Sequence, residues 1–311
     1  MWAITSYFNP VRYKRRLSNY RVFRANLRLP LVTVELSFDN RFELTSGDAD
    51  ILVQIAGGAV LWQKERLLNI AIKSVPSEIE DIAWIGCDAI FARLDWVKEA
   101  KAQLRDNHVV QLFSDMRDLS CNEAEPGAAD ALASPSAQGI VSLHQTGQSN
   151  AFVIPAANPH ARPVSRGFAW AGKRSILERH GFYDACIIGA GDRSMTFAMY
   201  GRFDEVMRSM SMSAIQQKHY LRWAVPFCEA IGGRIGYVPG RVYHLWHGDI
   251  KNRNYSDRHK RLSKFDFNPE LDIKVDCNGA WQWARCKPEL ENFCARYFVS
   301  RDEDEHNCNK A

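Results

Sequence analysis

Asp81-Ile-Ala-Trp-Ile-Gly-Cys-Asp88 decides the fold class, because a continuous apolar run, Asp81 to Ile85, ends there on a glycine and an acid. Apolar residues at successive positions predict a strand covered on both faces, not one lying on a surface. The flanking sequence supplies the helices to cover it. Upstream, Trp2 to Phe8 is a β-prone run halted by Asn9-Pro10, and Leu31 to Leu36 and Ile51 to Ile55 are strands rich in β-branched residues. Between them, Val11 to Arg28 places Tyr13, Leu17, Tyr20 and Leu27 at helical spacing, and after Gly57-Gly58 a helix carries Leu61, Glu65, Leu68 and Ile72 on one face. Downstream, Asp95 to Leu104 reads as a helix with Asp95 as N-cap, and His108 to Phe113 as a further strand. This alternation over the first 113 residues predicts an α/β sandwich with a mostly parallel sheet.

Beyond it, Ser120 to Gln145 is rich in Ala, Ser, Gly and Pro without periodicity and predicts a long surface loop, either a lid or an insertion. Ser175 to His180 reads as a short helix ended by Gly181, and Gly191 to Tyr200 and Ala214 to Ala224 as helices. Arg234 to Val238 and Val242 to Trp246 are strands joined through the Pro239-Gly240 turn signal. The polar stretch Arg301 to Ala311 is expected to fray.

A composition of 46% hydrophobic and 24% charged residues excludes a disordered chain, and a net charge of +4 does not demand a nucleic-acid partner. Eight cysteines without a C-x-x-C pair argue against structural zinc. No stretch has the length of a membrane span and the start lacks a basic signal region, so a cytoplasmic protein with mostly reduced thiols is expected. Peripheral membrane contact would leave no mark of this kind.

Chemistry concentrates at three places. Asp88 follows a buried strand, where open α/β sheets bind ligands, although an acid there can also be a turn former. Ile188-Gly-Ala-Gly-Asp192 delivers Asp192 to a helix start, either as a ligand-facing acid or as a plain N-cap. His244-Leu-Trp-His247-Gly248 leaves His247 at a turn, free to face a cleft, and six basic residues follow between Lys251 and Lys264. The seven basic residues between Arg12 and Arg28 read either as a solvated helix face or as a face from which one or two cations meet a phosphate or an acidic surface.

Together these stretches resemble the nucleotide-sugar glycosyltransferases of GT-A fold, of the family 2 type and its relatives, in order from Trp2 to about Arg261. The resemblance implies a single Rossmann-like sandwich over 1–265, with a nucleotide-binding half at 1–113, a flexible loop at 120–145 and an acceptor half at 150–265. An extension and polar tail, 266–311, would follow. It implies that Thr5, Asn9 and Glu35 hold the nucleotide together with Lys64 and Asn69 of the Trp62 to Asn69 stretch. Asp88 matches the second acid of the D-x-D motif and His247 the histidine that completes a site for Mn²⁺ or Mg²⁺. Gly181-Phe-Tyr-Asp184 and Ala190-Gly-Asp192 are similar to the family's G-x-Y-D and W-G-G-E/D, which makes Asp192 the general base. The chain departs from the pattern at Gly86, where the first D-x-D acid would stand, and at Ile188 or Gly189, where a tryptophan would.

The expected function is a metal-dependent hexosyl transfer from a nucleoside-diphosphate sugar, a UDP-sugar first, to an acceptor hydroxyl of a carbohydrate or similar molecule, with inversion. Arg253 and Arg258 would take up the charge developing on the departing diphosphate. A non-catalytic sugar-nucleotide or glycan-binding protein is the alternative that Gly86 raises. A nucleotidyltransferase ranks last, because no N-terminal Gly-rich phosphate loop with a following Arg and Lys is present.

Overall fold

The structure, a computed structural model, describes residues 1–147, 152, 163–255 and 257–304. In chain order the first part comprises β1 (Trp2–Phe8), α1 (Lys14–Asn26), β2 (Leu31–Ser37), β3 (Ile51–Ala56), α2 (Lys64–Ser74), β4 (Asp81–Ile85), β5 (Ala89–Phe91) and α3 (Trp96–Gln103). Then come β6 (Val109–Gln111), β7 (Asp115–Asp118), α4 (Ala128–Leu132), β8 (Ala137–Gly139), α5 (Ile140–Gln145), β9 (Val164–Ser165) and β10 (Ala169–Lys173). They are followed by α6 (Arg174–His180), α7 (Gly191–Met199), α8 (Phe203–Ser209), α9 (Ala214–Ile231), β11 (Ile235–Tyr237) and β12 (Arg241–His244). The described chain ends with α10 (Arg258–Leu262), β13 (Ile273–Val275), β14 (Trp281–Trp283) and α11 (Pro288–Val299).

The fold is mixed α/β around a seven-stranded, mostly parallel sheet in the order β11-β6-β10-β4-β1-β2-β3, with β10 antiparallel to both its neighbours. Side chains alternate across its strands, as the period of two requires. Ile4, Trp84, Val109 and Trp170 face one core, shared with α2, α7 and α9, whereas Ala3, Ala83, Ala169 and Ala171 face the other, shared with Phe23 and Trp96. The large face is pinned by Trp84 stacked on Trp170, ring centroids 6.4 Å apart, at a directly opposed antiparallel pair. The alanine face leaves room for α1 and α3 to approach closely.

A second, five-stranded sheet has the order β5-β12-β7-β8-β9. β11 and β12 therefore lie in different sheets, and Pro239-Gly240 turns the chain from one sheet to the other instead of closing a hairpin. In the second sheet β12 runs parallel to β7, with His244 opposite Asp118, and antiparallel to β5, with His244 opposite Ala89. Three chemistry-bearing segments are thus brought to one sheet end.

Several expectations are corrected. Ser120 to Gln145 is not a plain loop: it forms α4, β8 and α5, and Ile140, Val141 and Leu143 enter the main core. Its short apolar cluster lacks a period because it spans only one and a half helical turns. Asp95 precedes α3 but makes no side-chain cap, since its carboxylate is held by Arg93. Helix α9 runs on to Ile231 past Ala224 and contains Pro226, and α8 was not expected at all.

The C-terminal residues are not an appendage to the core. Phe267, Ile273, Ala280, Leu290 and Phe298 belong to it, and Arg301 and Glu303 are buried, so fraying is excluded for 301–304, while 305–311 lie outside the described residues. The Asp304 carboxylate accepts from the backbone N–H groups of Lys14 and Arg15, at 2.9 and 2.7 Å, and so caps α1, which has no acid in its own first turn. The basic α1 is accordingly more than a solvated face. Cys121 is disulfide-bonded, an exception to the expected reduced thiols, whereas Cys87, Cys186, Cys228, Cys277, Cys286 and Cys294 are free. Among the described residues no helix is long and apolar enough to cross a membrane.

Because Ile140 is fully buried, Ile140→Ala should cost about 2–5 kcal/mol in urea denaturation. A lid residue facing solvent would show almost no change.

Candidate active site

Beyond the carboxyl end of the main sheet lies a cavity of about 290 Å³, lined among others by Thr5, Trp62, Lys64, Asp88, Asp192 and His247. Its floor begins where β4 ends. The Thr5 hydroxyl donates to the Ile85 carbonyl at 2.7 Å, and the Gly86 N–H to the Phe168 carbonyl at 2.8 Å, which fixes the turn that presents Asp88. A Cβ at Gly86 would lie 2.8 Å from Asp88 Oδ1 and 3.2 Å from the Phe168 ring. Glycine is thus what the packing of this turn requires, and a second carboxylate there would push Asp88 aside.

Asp88, His244 and His247 offer ligand atoms that all lie within 4.8 Å of one another. His247 Nε2 is 3.0 Å from Asp88 Oδ2 and 3.0 Å from His244 Nε2, and His244 Nε2 is 3.7 Å from the same carboxylate oxygen. On its far side His244 Nδ1 meets Asp118 Oδ1 at 2.6 Å. A proton on Nδ1 directed at Asp118 leaves the Nε2 lone pair aimed into the cluster, the arrangement in which a carboxylate orients a ligating imidazole. Burial opposes charge on both rings. At His244 the bonds to Asp118 and Asp88 outweigh it and raise the pKa, while at His247 the Arg253 guanidinium adds to burial and the pKa is lowered. Burial pushes the Asp88 carboxyl up, but His247 and His244 together hold it well below the usual range. One carboxylate oxygen and two imidazole nitrogens form a donor set that fits a divalent first-row cation such as Mn²⁺.

Beneath His247 lies a buried ion triad. Glu303 meets Arg16 at 3.1 Å and also pairs with Arg301, whose Nη2 is 3.2 Å from His247 Nδ1. Burial disfavours the Glu303 anion, yet Arg16 and Arg301 hold its pKa far below the ordinary value. The Arg301 guanidinium also lies over Trp62, 5.4 Å from the ring centroid, and Trp62 stacks on Phe298 at 6.2 Å.

On the opposite wall Lys64 Nζ bridges both Asp192 oxygens, at 2.8 and 2.7 Å. Asp192 is not the N-cap of α7: that position is Ala190, in the left-handed region at φ 80°, and the Asp192 side chain, 34% exposed, faces the cavity. Gly167 permits this approach, since a Cβ there would lie 2.3 Å from Asp192 Cβ. Behind it Glu65 is buried against Gly191, where a Cβ would lie 2.2 Å from its carboxyl carbon. Burial pushes the Glu65 pKa up to about 7, against the pull of Lys64.

Thr5, Lys64, Asp88, Asp192, His247, Arg253 and Arg258 therefore line one cavity. The other three residues expected at the nucleotide lie elsewhere and do structural work. Asn9 holds the Tyr13 carbonyl and Glu43, and the Glu35 carboxylate accepts from the Glu43 and Leu44 N–H groups and from Gln54. The Asn69 amide bonds both the N–H and the carbonyl of Phe182 as well as Asp184. Each is a polar side chain used to tie down backbone, a role that residue type alone does not separate from ligand binding. Conversely His244, Asp118, Arg301 and Glu303 were missed. For His244 the signal was present in its pairing with His247 at i, i+3; for the C-terminal pair there was none, because composition assigns charged residues to solvent.

No protein-family model matches this sequence, and no curated protein matches it. Solved structures to which it is similar include S. aureus TarS, at 11% identity and a TM-score of 0.39, covering 89% of this chain. The chain spans about half of TarS, 46% of that chain. A 4-diphosphocytidyl-2C-methyl-D-erythritol synthase from Anaerococcus prevotii is similar at 8% identity and a TM-score of 0.34, over 77% of this chain and 87% of that one. The galactosyltransferase LgtC, solved with donor and acceptor sugar analogues, is similar at 10% identity and a TM-score of 0.35, over 85% and 94%. Similarity at this level assigns no activity.

Glu303→Gln should strip both arginines of their counter-charge and cost roughly 3–5 kcal/mol at neutral pH. Because the folded pKa is depressed, this stabilisation is present above the unfolded value of about 4.3 and lost as pH falls toward the folded one. Urea denaturation at a series of pH values should therefore show a gap between wild type and variant that is widest near neutrality and narrows below about pH 4.

Proposed function

We propose that the protein is a divalent-metal-dependent glycosyltransferase that uses a nucleoside-diphosphate sugar. The observation that carries this reading is the convergence of Asp88, His244 and His247 on one side of a cavity whose other wall presents Asp192. Asp88, His244 and His247 would hold the cation, which when bound supplies positive charge for the departing diphosphate. Arg253, with Nη2 3.0 Å from His247 Nε2, adds a fixed cation at the same place, and Arg258 lines the cavity beyond it. Charge that develops on the leaving group is thereby met by groups already oriented before the reaction.

Asp192 serves as the base. The acceptor hydroxyl oxygen forms a bond to the anomeric carbon as the bond from that carbon to the diphosphate breaks, and the hydroxyl proton passes to Asp192. The nucleoside diphosphate leaves with the electron pair, and a single displacement inverts the anomeric centre. Lys64 fixes the carboxylate's orientation by gripping both of its oxygens from the helix side. His244 stands in for the missing acid at Gly86, so glycine at that position is compatible with turnover and is not a sign of its loss.

Incubation with a panel of nucleotide-sugars, with Mn²⁺ or with chelator, tests the reading by release of nucleoside diphosphate. Metal-dependent release from one donor is expected. Binding of the nucleotide with no release from any donor would instead favour a binding protein. With that donor, Asp192→Asn should lower turnover about 10²-fold or more and leave nucleotide affinity within a few-fold. Wild-type turnover in the folded variant would remove Asp192 from catalysis. Asp118→Asn, which removes no ligand atom and acts through the Nδ1 side of His244, should weaken Mn²⁺ binding about 10- to 100-fold by calorimetry.

A further inference from the structure

Cations outnumber what a sugar nucleotide needs in this cavity. A bound divalent ion together with Arg253 already matches the charge of a diphosphate, yet Arg166, Arg193 and Arg258 line the same space. The Arg193 side chain has no hydrogen bond or ion pair among the described residues. Arg258 donates to the Tyr297 hydroxyl and lies over the Tyr255 ring, 4.9 Å from its centroid, also without a carboxylate. Arg166 lies over Phe197, 5.8 Å from the ring centroid. Asp192, the carboxylate next to Arg193 in sequence, is taken by Lys64.

Converging guanidinium groups repel one another, and burial weakens the water that would screen them. Burial first, then Arg166 and Arg258, draw the Arg193 pKa down to about 10. Arginine remains charged at that value, so the shift records an electrostatic cost borne by the ligand-free protein. Such a cost is relieved by an anion, and the planar fork of arginine suits phosphate and carboxylate oxygens.

The placement identifies which substrate brings that anion. Arg193 follows Asp192 on the first turn of α7, and Arg166 precedes Gly167, which packs directly on the Asp192 side chain. The two arginines therefore flank the proposed base, where the acceptor's hydroxyl must lie. We propose that the acceptor is anionic, and that Arg166 and Arg193, with Arg258 behind them, bind a phosphate or carboxylate group near the hydroxyl to be glycosylated. This rests on the glycosyltransferase reading for the identity of the acceptor, but not for the anion site itself.

The test is calorimetric titration of the protein, saturated with UDP and Mn²⁺, with glucose 6-phosphate, glucuronate and glucose. At least one of the two anionic sugars should bind and glucose should not, and the comparison between them distinguishes phosphate from carboxylate. Arg193→Gln should weaken the anionic sugar at least about tenfold, with UDP affinity within twofold, and Arg193→Lys should recover part of the loss. Arg193→Gln should also melt no lower than wild type without ligand, since it relieves repulsion, whereas a structural arginine would lower the melting temperature. Anionic sugars that bind no better than glucose would overturn the proposal. So would an Arg193→Gln variant that loses UDP as strongly as sugar, because the cluster would then serve the diphosphate. If wild type fails to bind UDP with Mn²⁺, the glycosyltransferase reading falls, and Arg193-dependent binding of glucose 6-phosphate to the UDP-free protein would still establish the anion site.

Discussion

The register of three short strands governs the rest of the molecule. His244 stands opposite Asp118 on one side and Ala89, the residue after Asp88, on the other. A slip of one residue along β12 would turn the histidine to the other face of the sheet and leave Asp118 and Asp88 without the group that separates their charges. The ladder bonds from Leu245 N–H to the Asp88 carbonyl and from Leu119 N–H to the His244 carbonyl, both 2.9 Å, hold that register at the strand ends. The main sheet provides the platform, but the small sheet assembles the chemistry.

Legibility in the sequence follows how locally each feature is determined. The strands β1 to β4 carry their own hydrophobic pattern and are readable within a residue or two, whereas α2 starts at Lys64 and leaves Leu61, expected on its face, in the preceding loop. The segment from Ser120 to Gln145 was not, because Ile140, Val141 and Leu143 are recognisable as core only once the sheet that receives them exists. Asp88, Asp192 and His247 could be singled out from their positions at strand ends, turns and helix starts. His244 carried only the weaker signal of its i, i+3 spacing to His247, since its role depends on strands β5 and β7, which are distant in sequence. Asn9, Glu35 and Asn69 show the opposite failure: residue types suited to a nucleotide that instead satisfy buried backbone.

Charge in the site is arranged in layers. Innermost is the group satisfied by the protein itself, Arg16 and Arg301 with Glu303, while the Lys64–Asp192 pair stands on the cavity wall. The buried group sets positions, and leaving its arginines without Glu303 would cost more than the pairing gains. Facing the open space is Arg193, whose charge meets no carboxylate among the described residues, and its cost is carried by the stability of the two cores beneath. Such a division lets one cavity be rigid in geometry and still hold unspent electrostatic attraction for what enters it.

The cap on α1 and the triad beneath His247 both depend on residues 303 and 304, with Asp304 meeting Lys14 and Arg15 across a separation of about 290 positions. Contacts of that range close late, after the loops between them have ordered. During synthesis helix α1 must therefore wait uncapped until residue 304 has been made. The cluster around Asp88 gains the support of Arg301 and Glu303 only when residues 301–303 dock beneath His247. A chain cut just short of Glu303 would therefore leave Arg16 and Arg301 buried without their counter-charge and α1 without its cap, two losses from the removal of two neighbouring acids.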